Sequence, residues 1–411
     1  MTIHTNGTSS SNGIPQRSVY LDHAATTGVL PEVVEAMLPY YSERYGNPSS
    51  VHAWGRAAHQ GLENSRRQVA SVLGSRPREV VFTGGGTESD NLALKGVAWA
   101  YRRGMFEGKQ PSEGPGHIVI SAIEHHAILH SGEELERHGF EVTVLPVDRF
   151  GSVDPDAVAR AMRSDTVLVS IMYANNEIGT IQPIEEIAKI AHERGALFHT
   201  DAVQAGGLLP LNVERLGVDL LSLSAHKFYG PKGVGVLYIK TNTPIMPQQH
   251  GGSQENRRRA STENVPGIVG LATALVRAQS NLESEAAHVR GLRDSLIRGI
   301  QARIEDAHLM GHPENRLPNN ANFCIAGIEG ETMLLKLDMR GVGASSGAAC
   351  ASGSTEPSHV LRAIGVPREL AQGSLRLTTG IDNTQEDIDY ALDVLEACVS
   401  ELRSVEPAAR Q

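Results

Sequence analysis

The chain has 411 residues, 40% apolar and 20% charged, with 42 glycines, which is ordinary globular usage and excludes wholesale disorder, a collagen and a long coiled coil. Thirty-seven Lys and Arg against 47 Asp and Glu leave a formal charge of −10, a poor basis for holding nucleic acid or an anionic membrane surface. Three cysteines without a CxxC pair argue against a disulfide framework, and no apolar run reaches the roughly 18 residues that cross a bilayer, so a cytoplasmic protein is expected.

The first 17 residues are rich in Ser, Thr, Asn and Gly, have no apolar core, and read as a loose tail. Over residues 80–240, short β-branched runs alternate with helical spacing. The runs are 80–82, 118–120, 142–144, 167–169, 196–198, 220–223 and 234–239; two clear helices are 87–103 and 184–194. Nearly continuous apolar strands alternating with helices predict an α/β domain with a mainly parallel sheet covered on both faces. The stretch 104–116 reads as a polar surface loop. Arg257-Arg258-Arg259 is the one basic run, too short for a targeting or RNA patch. After Val265 the texture changes: one long helical stretch, 268–303, then strand candidates at 321–325 and 374–378 and a helix at 385–402. The expected organisation is a tail (1–17), a large domain (18–265, with 18–30 packing with the second domain) and a smaller C-terminal α/β domain (266–411).

In parallel α/β sheets, ligands sit beyond the carboxyl ends of the strands. Strand 80–82 runs into GGGTESDN (84–91), where glycines and the first turn of a helix suit a phosphate, and Thr87 adds a hydroxyl. Such a turn also serves as an ordinary turn. Strand 196–198 runs into HTDAVQ (199–204), where Asp201 either holds a protonated ring nitrogen or caps the next turn. No HExxH or cysteine pair supports a metal there. Strand 220–223 runs into SAHKFYGPKGVG (224–235). Lys227 is then a solvated surface amine or a desolvated one with a lowered pKa, suited to Schiff-base chemistry. Lysine, carboxylate and phosphate cradle in one crevice form the trio that pyridoxal phosphate requires.

With YLDHAATT (20–27), GNPSSVHAWG (46–55), IEHHA (123–127), YANNEIG (173–179), ASTENV (260–265) and SSGAACASGS (345–354) added, the chain resembles the cysteine desulfurases of the NifS/IscS kind, class V aminotransferases of pyridoxal-phosphate fold type I. The resemblance runs from about Tyr20 to Cys398. It implies that Lys227 binds the cofactor aldehyde, Asp201 pairs with the pyridine nitrogen and Gln204 meets the ring hydroxyl oxygen. It implies that His125 stacks on the ring and shuttles protons. Gly86, Thr87, Ser224 and His226 would hold the phosphate, joined by Thr262 across a homodimer interface. Asn176 and Arg376 would meet the substrate, Arg376 gripping its carboxylate through a bidentate fork.

Cys350 lies in a run of Gly, Ala and Ser without a side chain large enough to pack, a context suited to carrying a thiol into and out of a crevice. Cys324 and Cys398 read as small core hydrophobes. The resemblance then implies transfer of sulfur from L-cysteine to Cys350 as a persulfide, release of L-alanine, and passage of the sulfur to an acceptor protein for iron–sulfur cluster, thio-cofactor or thiolated-tRNA synthesis. A thiol of pKa about 8.5 is only a few per cent ionised at pH 7, and nothing basic adjoins Cys350 in sequence. The chain departs from the family at Ala348, where Ser is usual, at Ser261, where Gly is usual, in a longer 104–116 loop, and in a short C-terminal tail. A selenocysteine lyase or an aminotransferase on the same fold is the alternative within enzymes. A cofactor-free partner-binding protein is the alternative outside them, and the complete set Lys227, Asp201, Gln204 and His125 speaks against it.

Overall fold

The computed structural model describes residues 17–112, 114–347 and 358–405. They form two compact units: residues 26–176 with 180–282, and residues up to 25 with 177–179 and 283 onward. Twelve strands are present among the described residues: β1 (Val19–Tyr20), β2 (Val80–Thr83), β3 (His117–Ser121), β4 (Glu141–Leu145), β5 (Thr166–Ser170), β6 (Leu197–Asp201), β7 (Leu220–Ser224), β8 (Gly235–Ile239), β9 (Ala307–Met310), β10 (Asn320–Ile325), β11 (Val342–Gly343) and β12 (Ser374–Thr378).

The larger unit is built on a seven-stranded sheet ordered β2-β8-β7-β6-β5-β3-β4. Six strands run one way; β8 is antiparallel to both neighbours. Strand alternation gives the sheet two apolar faces. Ile118, Ile120, Leu220 and Leu237 share a core with Leu94 and Val97 of the helix Gly86–Arg102. Val119, Val169, Leu221 and Val236 share a core with Leu62 and Val69 of the helix Ala53–Leu73 and Leu271 and Leu275 of the helix Val265–Ser280. The domain boundary expected after Val265 therefore falls after Leu282: the helix Val265–Ser280 belongs to the sheet's core. The single helix expected over 268–303 is two, Val265–Ser280 and Leu282–Arg303, interrupted at Asn281.

The 104–116 stretch is more than a polar surface loop. Phe106 is buried against Tyr101, whose hydroxyl donates to the Gln110 and Gly114 carbonyls at 2.9 and 3.0 Å. Lys109 reaches the Thr166 carbonyl at the start of β5, so the loop is tied to the amino ends of the strands.

In the smaller unit, β9, β10 and β12 form an antiparallel sheet, and β1 pairs in parallel with β11. The β1 segment continues into this unit's core through Leu21, and His23 Nδ1 lies 2.9 Å from the Thr378 carbonyl. Residues 26–30 belong instead to the larger unit. Cys324 in β10 and Cys398 in the helix Gln385–Val405 are both buried; burial pushes the Cys324 thiol up to about 12. Among the described residues no helix is long and apolar enough to cross a membrane.

Candidate active site

Lys227 closes a single 3-10 turn, Ala225–Lys227, that leaves the carboxyl end of β7. Thr27 donates from its amide and hydroxyl to the His226 carbonyl, at 2.9 and 3.1 Å, and its hydroxyl accepts from the Tyr229 amide at 2.7 Å. Phe228 is buried against Gly206, where a Cβ would stand 2.4 Å from the ring. Tyr229 takes a φ of 65°, a left-handed conformation that a bulky residue keeps only when its surroundings demand it. The turn is thus built to hold Lys227, which is half-buried.

Asp201 ends β6, the neighbour of β7 in the sheet, and is 6% exposed. Its Oδ1 accepts from the Val203 amide at 2.9 Å. Burial raises its pKa, while the positive charges of His125 and Lys227, with the Val203 amide, pull it back. Lys227 and His125 therefore both act on one buried carboxylate. His125 caps the helix His126–Arg137, its Nδ1 accepting from the Ala127 amide at 3.1 Å. Asn175 Nδ2 donates to the Ile123 carbonyl at 2.9 Å, joining the loop that carries Asn176 to the one that carries His125.

The phosphate cradle follows β2. Gly85, at φ 151° and ψ −178°, adopts a backbone open essentially to glycine and caps the helix Gly86–Arg102. A Cβ on Gly86 would come 2.7 Å from Val203 Cγ2 and 3.6 Å from Ser224 Cβ. This close approach brings the cradle, the end of β7 and the 201–204 turn together. Thr87 is exposed at the helix start, Ser224 is buried, and Gln204 is half-buried on the 201–204 turn. His226 Nδ1 lies 3.2 Å from Thr26 Oγ1. Burial, then Lys227 and Lys232, push His226 down to about 4, so near neutral pH it is an uncharged hydrogen-bonding group. Thr262 is exposed.

Two further expected residues are Arg376 and Cys350. Arg376 belongs to the smaller unit; it lies in β12, is 2% exposed, and donates from Nη2 to Asp22 Oδ1 at 2.8 Å. Cys350 lies outside the described residues.

The structure adds His199, Asp90 and Glu124 to the surroundings of Asp201. His199 shares a face of β6 with Asp201; its Nδ1 and Nε2 lie 2.8 Å from Ser170 Oγ and 3.0 Å from Ser222 Oγ, and Nε2 is 3.8 Å from Asp90 Oδ1. Burial holds His199 neutral, down to about 3. Asp90 is pushed well above the ordinary carboxylate range by burial, then by the charges of Asp201 and Glu124. Glu124, whose Oε1 accepts from Ser121 Oγ and the Met172 amide, is raised to about 8, chiefly by burial. Asp90 and Glu124 sit inside flagged motifs, and the i, i+2 spacing of His199 and Asp201 was legible; only the packing of helix on sheet brings them together.

These residues fit pyridoxal phosphate. Asp201 is a buried carboxylate whose ionised form needs a cation, which a protonated pyridine nitrogen supplies. Lys227 offers the amine, and the helix start at Gly86 offers free amides beside Ser224 for the phosphate. Among the described residues no group of three or more His, Cys, Asp or Glu could hold a metal ion.

Fold and site together define a pyridoxal-phosphate enzyme fold of type I. A model of the class V aminotransferases matches residues 19–391, and the chain belongs to that family, whose enzymes use this cofactor. Among curated relatives, the cysteine desulfurase IscS of Dictyoglomus turgidum is 54% identical over 392 residues, 95% of this chain and 97% of the relative. The cysteine desulfurase IscS of Methanosarcina thermophila is 52% identical over 391 residues, 95% and 94% of the two chains. Among solved structures, a NifS-like protein superposes with a TM-score of 0.86 at 41% identity, covering 93% of this chain and 100% of that one. SspA in complex with cysteine superposes with a TM-score of 0.76 at 35% identity, covering 89% and 99%.

Proposed function

We infer that this protein is a cysteine desulfurase that takes sulfur from L-cysteine, releases L-alanine and hands the sulfur to an acceptor protein. The observation that carries the reading is that the buried Asp201 carboxylate and Lys227 stand at the carboxyl ends of the neighbouring strands β6 and β7, beside a glycine cradle at Gly86 packed on Val203 and Ser224. Pyridoxal phosphate, when bound, supplies the electron sink that makes the substrate Cα–H acidic and the Cβ–S bond labile. Asp201 would accept the hydrogen bond of the pyridine nitrogen and keep it charged. Gln204 would meet the ring hydroxyl oxygen, and His125 would cover the ring face. Gly86, Thr87, Ser224 and His226 would hold the phosphate. Lys227 Nζ would anchor the aldehyde and, with substrate bound, take the Cα proton. Asn176 and Arg376 orient the substrate, Arg376 through its carboxylate. The Cys350 thiolate attacks the substrate sulfur: an S–S bond forms as Cβ–S breaks, the bonding pair stays with carbon and is protonated, and Cys350 is left as a persulfide.

The active form is a homodimer in which Thr262 of a second copy completes the phosphate site. Support comes from the exposed apolar side chains Leu38, Tyr41, Tyr45, Val51 and Trp54, which are 56–87% exposed over one short stretch of the larger unit. A cytoplasmic location accords with the cysteine usage.

The test is to incubate purified protein with L-cysteine and a reductant and to quantify alanine and sulfide together. Equal yields are expected; pyruvate, or an amino group passed to a keto acid, contradicts the reading. Cys350→Ala is expected to keep the cofactor and release no sulfide, and retained release removes the persulfide role from Cys350.

A further inference from the structure

Residues 253–262 form the most strained stretch of described backbone. Glu255, Asn256 and Arg257 are consecutive left-handed residues, with φ of 45°, 55° and 64°, and Ser261 follows at 89°. None is glycine, so the conformation persists only because neighbouring contacts enforce it. Two ion pairs do so. Arg66 forks onto Glu255 with both contacts at 2.7 Å, and Glu255 also accepts from the Phe82 amide at 2.9 Å. The Arg66 and Glu255 side chains are 6% and 2% exposed. Further along, Arg259 forks onto Glu88, Nε to Oε1 at 2.8 Å and Nη2 to Oε2 at 3.3 Å.

Glu88 occupies the first turn of the helix Gly86–Arg102, and its Oε2 accepts from the Gly84 amide at 2.7 Å. It therefore shapes the Gly84–Gly86 turn by consuming one of the amides at that end. The same carboxylate places a negative charge within a turn of the phosphate cradle, where it repels a dianion. Arg259 is the cation that forks onto it.

We propose that Arg259 is a positioning residue for the cofactor phosphate: it neutralises Glu88, so that the carboxylate can hold the Gly84–Gly86 turn without weakening phosphate binding. This rests on the reading of that turn as the phosphate site. Arg66 and Glu255 keep the strained segment in the shape that delivers Arg259. The Arg259–Glu88 pair also connects the phosphate turn to the segment that ends in Thr262.

The experiment strips the full-length protein of cofactor with hydroxylamine and titrates it with pyridoxal phosphate and, separately, with pyridoxal, following absorbance. In Arg259→Met the dissociation constant for pyridoxal phosphate rises roughly tenfold while that for pyridoxal is unchanged. In Glu88→Gln/Arg259→Met, where the amide still accepts from Gly84, affinity returns to within about threefold of wild type. Glu88→Gln alone binds pyridoxal phosphate at least as tightly as wild type, a measurement that stands even where Arg259→Met does not fold. Equal weakening toward both ligands in Arg259→Met, no weakening at all, failure of Glu88→Gln to restore affinity, or weakened binding in Glu88→Gln alone overturns the proposal. A wild-type protein that binds pyridoxal as tightly as its phosphate ester overturns the phosphate reading itself, and the role of Arg259 with it.

Discussion

The two units bury charge of opposite sign. In the larger unit the buried ionisable groups are mainly acids, Asp90, Glu124 and Asp201 around the candidate site and Glu79, Asp165, Asp219 and Glu255 elsewhere, with Arg66 as a buried base. In the smaller unit they are mainly guanidiniums, Arg293, Arg316 and Arg376, with Glu177 as a buried acid. The bases of the smaller unit spend their donors largely on the chain itself. Arg293 donates to the Leu317 carbonyl, and Arg316 to those of Asn320 and Ile178, at 2.9 to 3.1 Å. Burial lowers Arg316 to about 9. These arginines staple loops. Two of them also meet carboxylates: Arg293 donates to Asp294 Oδ1 at 2.6 and 2.9 Å, and Arg376 to Asp22 of the YLDHAATT motif. The acids near Asp201 are held toward their neutral forms by burial. A site whose carboxylates are reluctant to ionise is ready for a cation, whereas Arg293 and Arg316 already spend their donors on carbonyls of their own unit. Buried charge thus marks function in one unit and mostly architecture in the other.

The comparison is broken most severely at Lys227. Lys227→Ala removes the amine that acts on Asp201, and alanine and sulfide formation is expected to fall by at least about 10³-fold, with circular dichroism unchanged because the side chain is half-buried on a turn held by Thr27 and Phe228. In the smaller unit, Arg376→Met leaves Asp22 without its buried partner. A loss of about 3 kcal/mol in urea unfolding is expected, which separates an architectural residue from a purely catalytic one. Arg376→Lys keeps the charge without the fork, and its KM for cysteine should rise about tenfold.

A pH series sharpens the acid side. Glu124 titrates near 8 in the folded chain against about 4.3 when unfolded. The native state therefore binds more protons between those values, and this group's contribution falls as pH rises from about 4 to 8. Glu124→Gln removes that slope, so the variant gains on wild type by about 3.5 kcal/mol at pH 8 relative to pH 5. His199, lowered to about 3, contributes the opposite slope: its stabilisation is lost as pH falls through its unfolded value near 6.5 toward 3. Comparison of the two chains at each pH cancels it. The smallest effect is expected at Ser261. Glycine accepts φ 89° without strain, and Ser261→Gly should raise stability by about 1 kcal/mol, read as a higher melting temperature.

Much of the site was legible because cofactor chemistry restricts residue types at strand ends. Asp201, Lys227 and the 84–86 glycines all follow apolar runs that became β6, β7 and β2. The helix Ala53–Leu73 went unread because its buried face is Gly55, Ala58, Gly61 and Ser65 as much as Leu62 and Val69; small residues pack closely yet leave little hydrophobic signal. Strand β8 was recognised, but not its reversed direction, since a five-residue buried run looks the same either way.

Composition, strand-end residues and ordered motifs by themselves determined the α/β class, the cofactor trio and the family. Periodicity and local chemistry are properties of neighbours in the chain. Only the tertiary structure decided which acids gather around Asp201, which threonine braces the Lys227 turn, and which arginine meets Glu88. Those pairs lie tens to hundreds of residues apart, and their energies depend on burial, which no stretch of sequence carries alone.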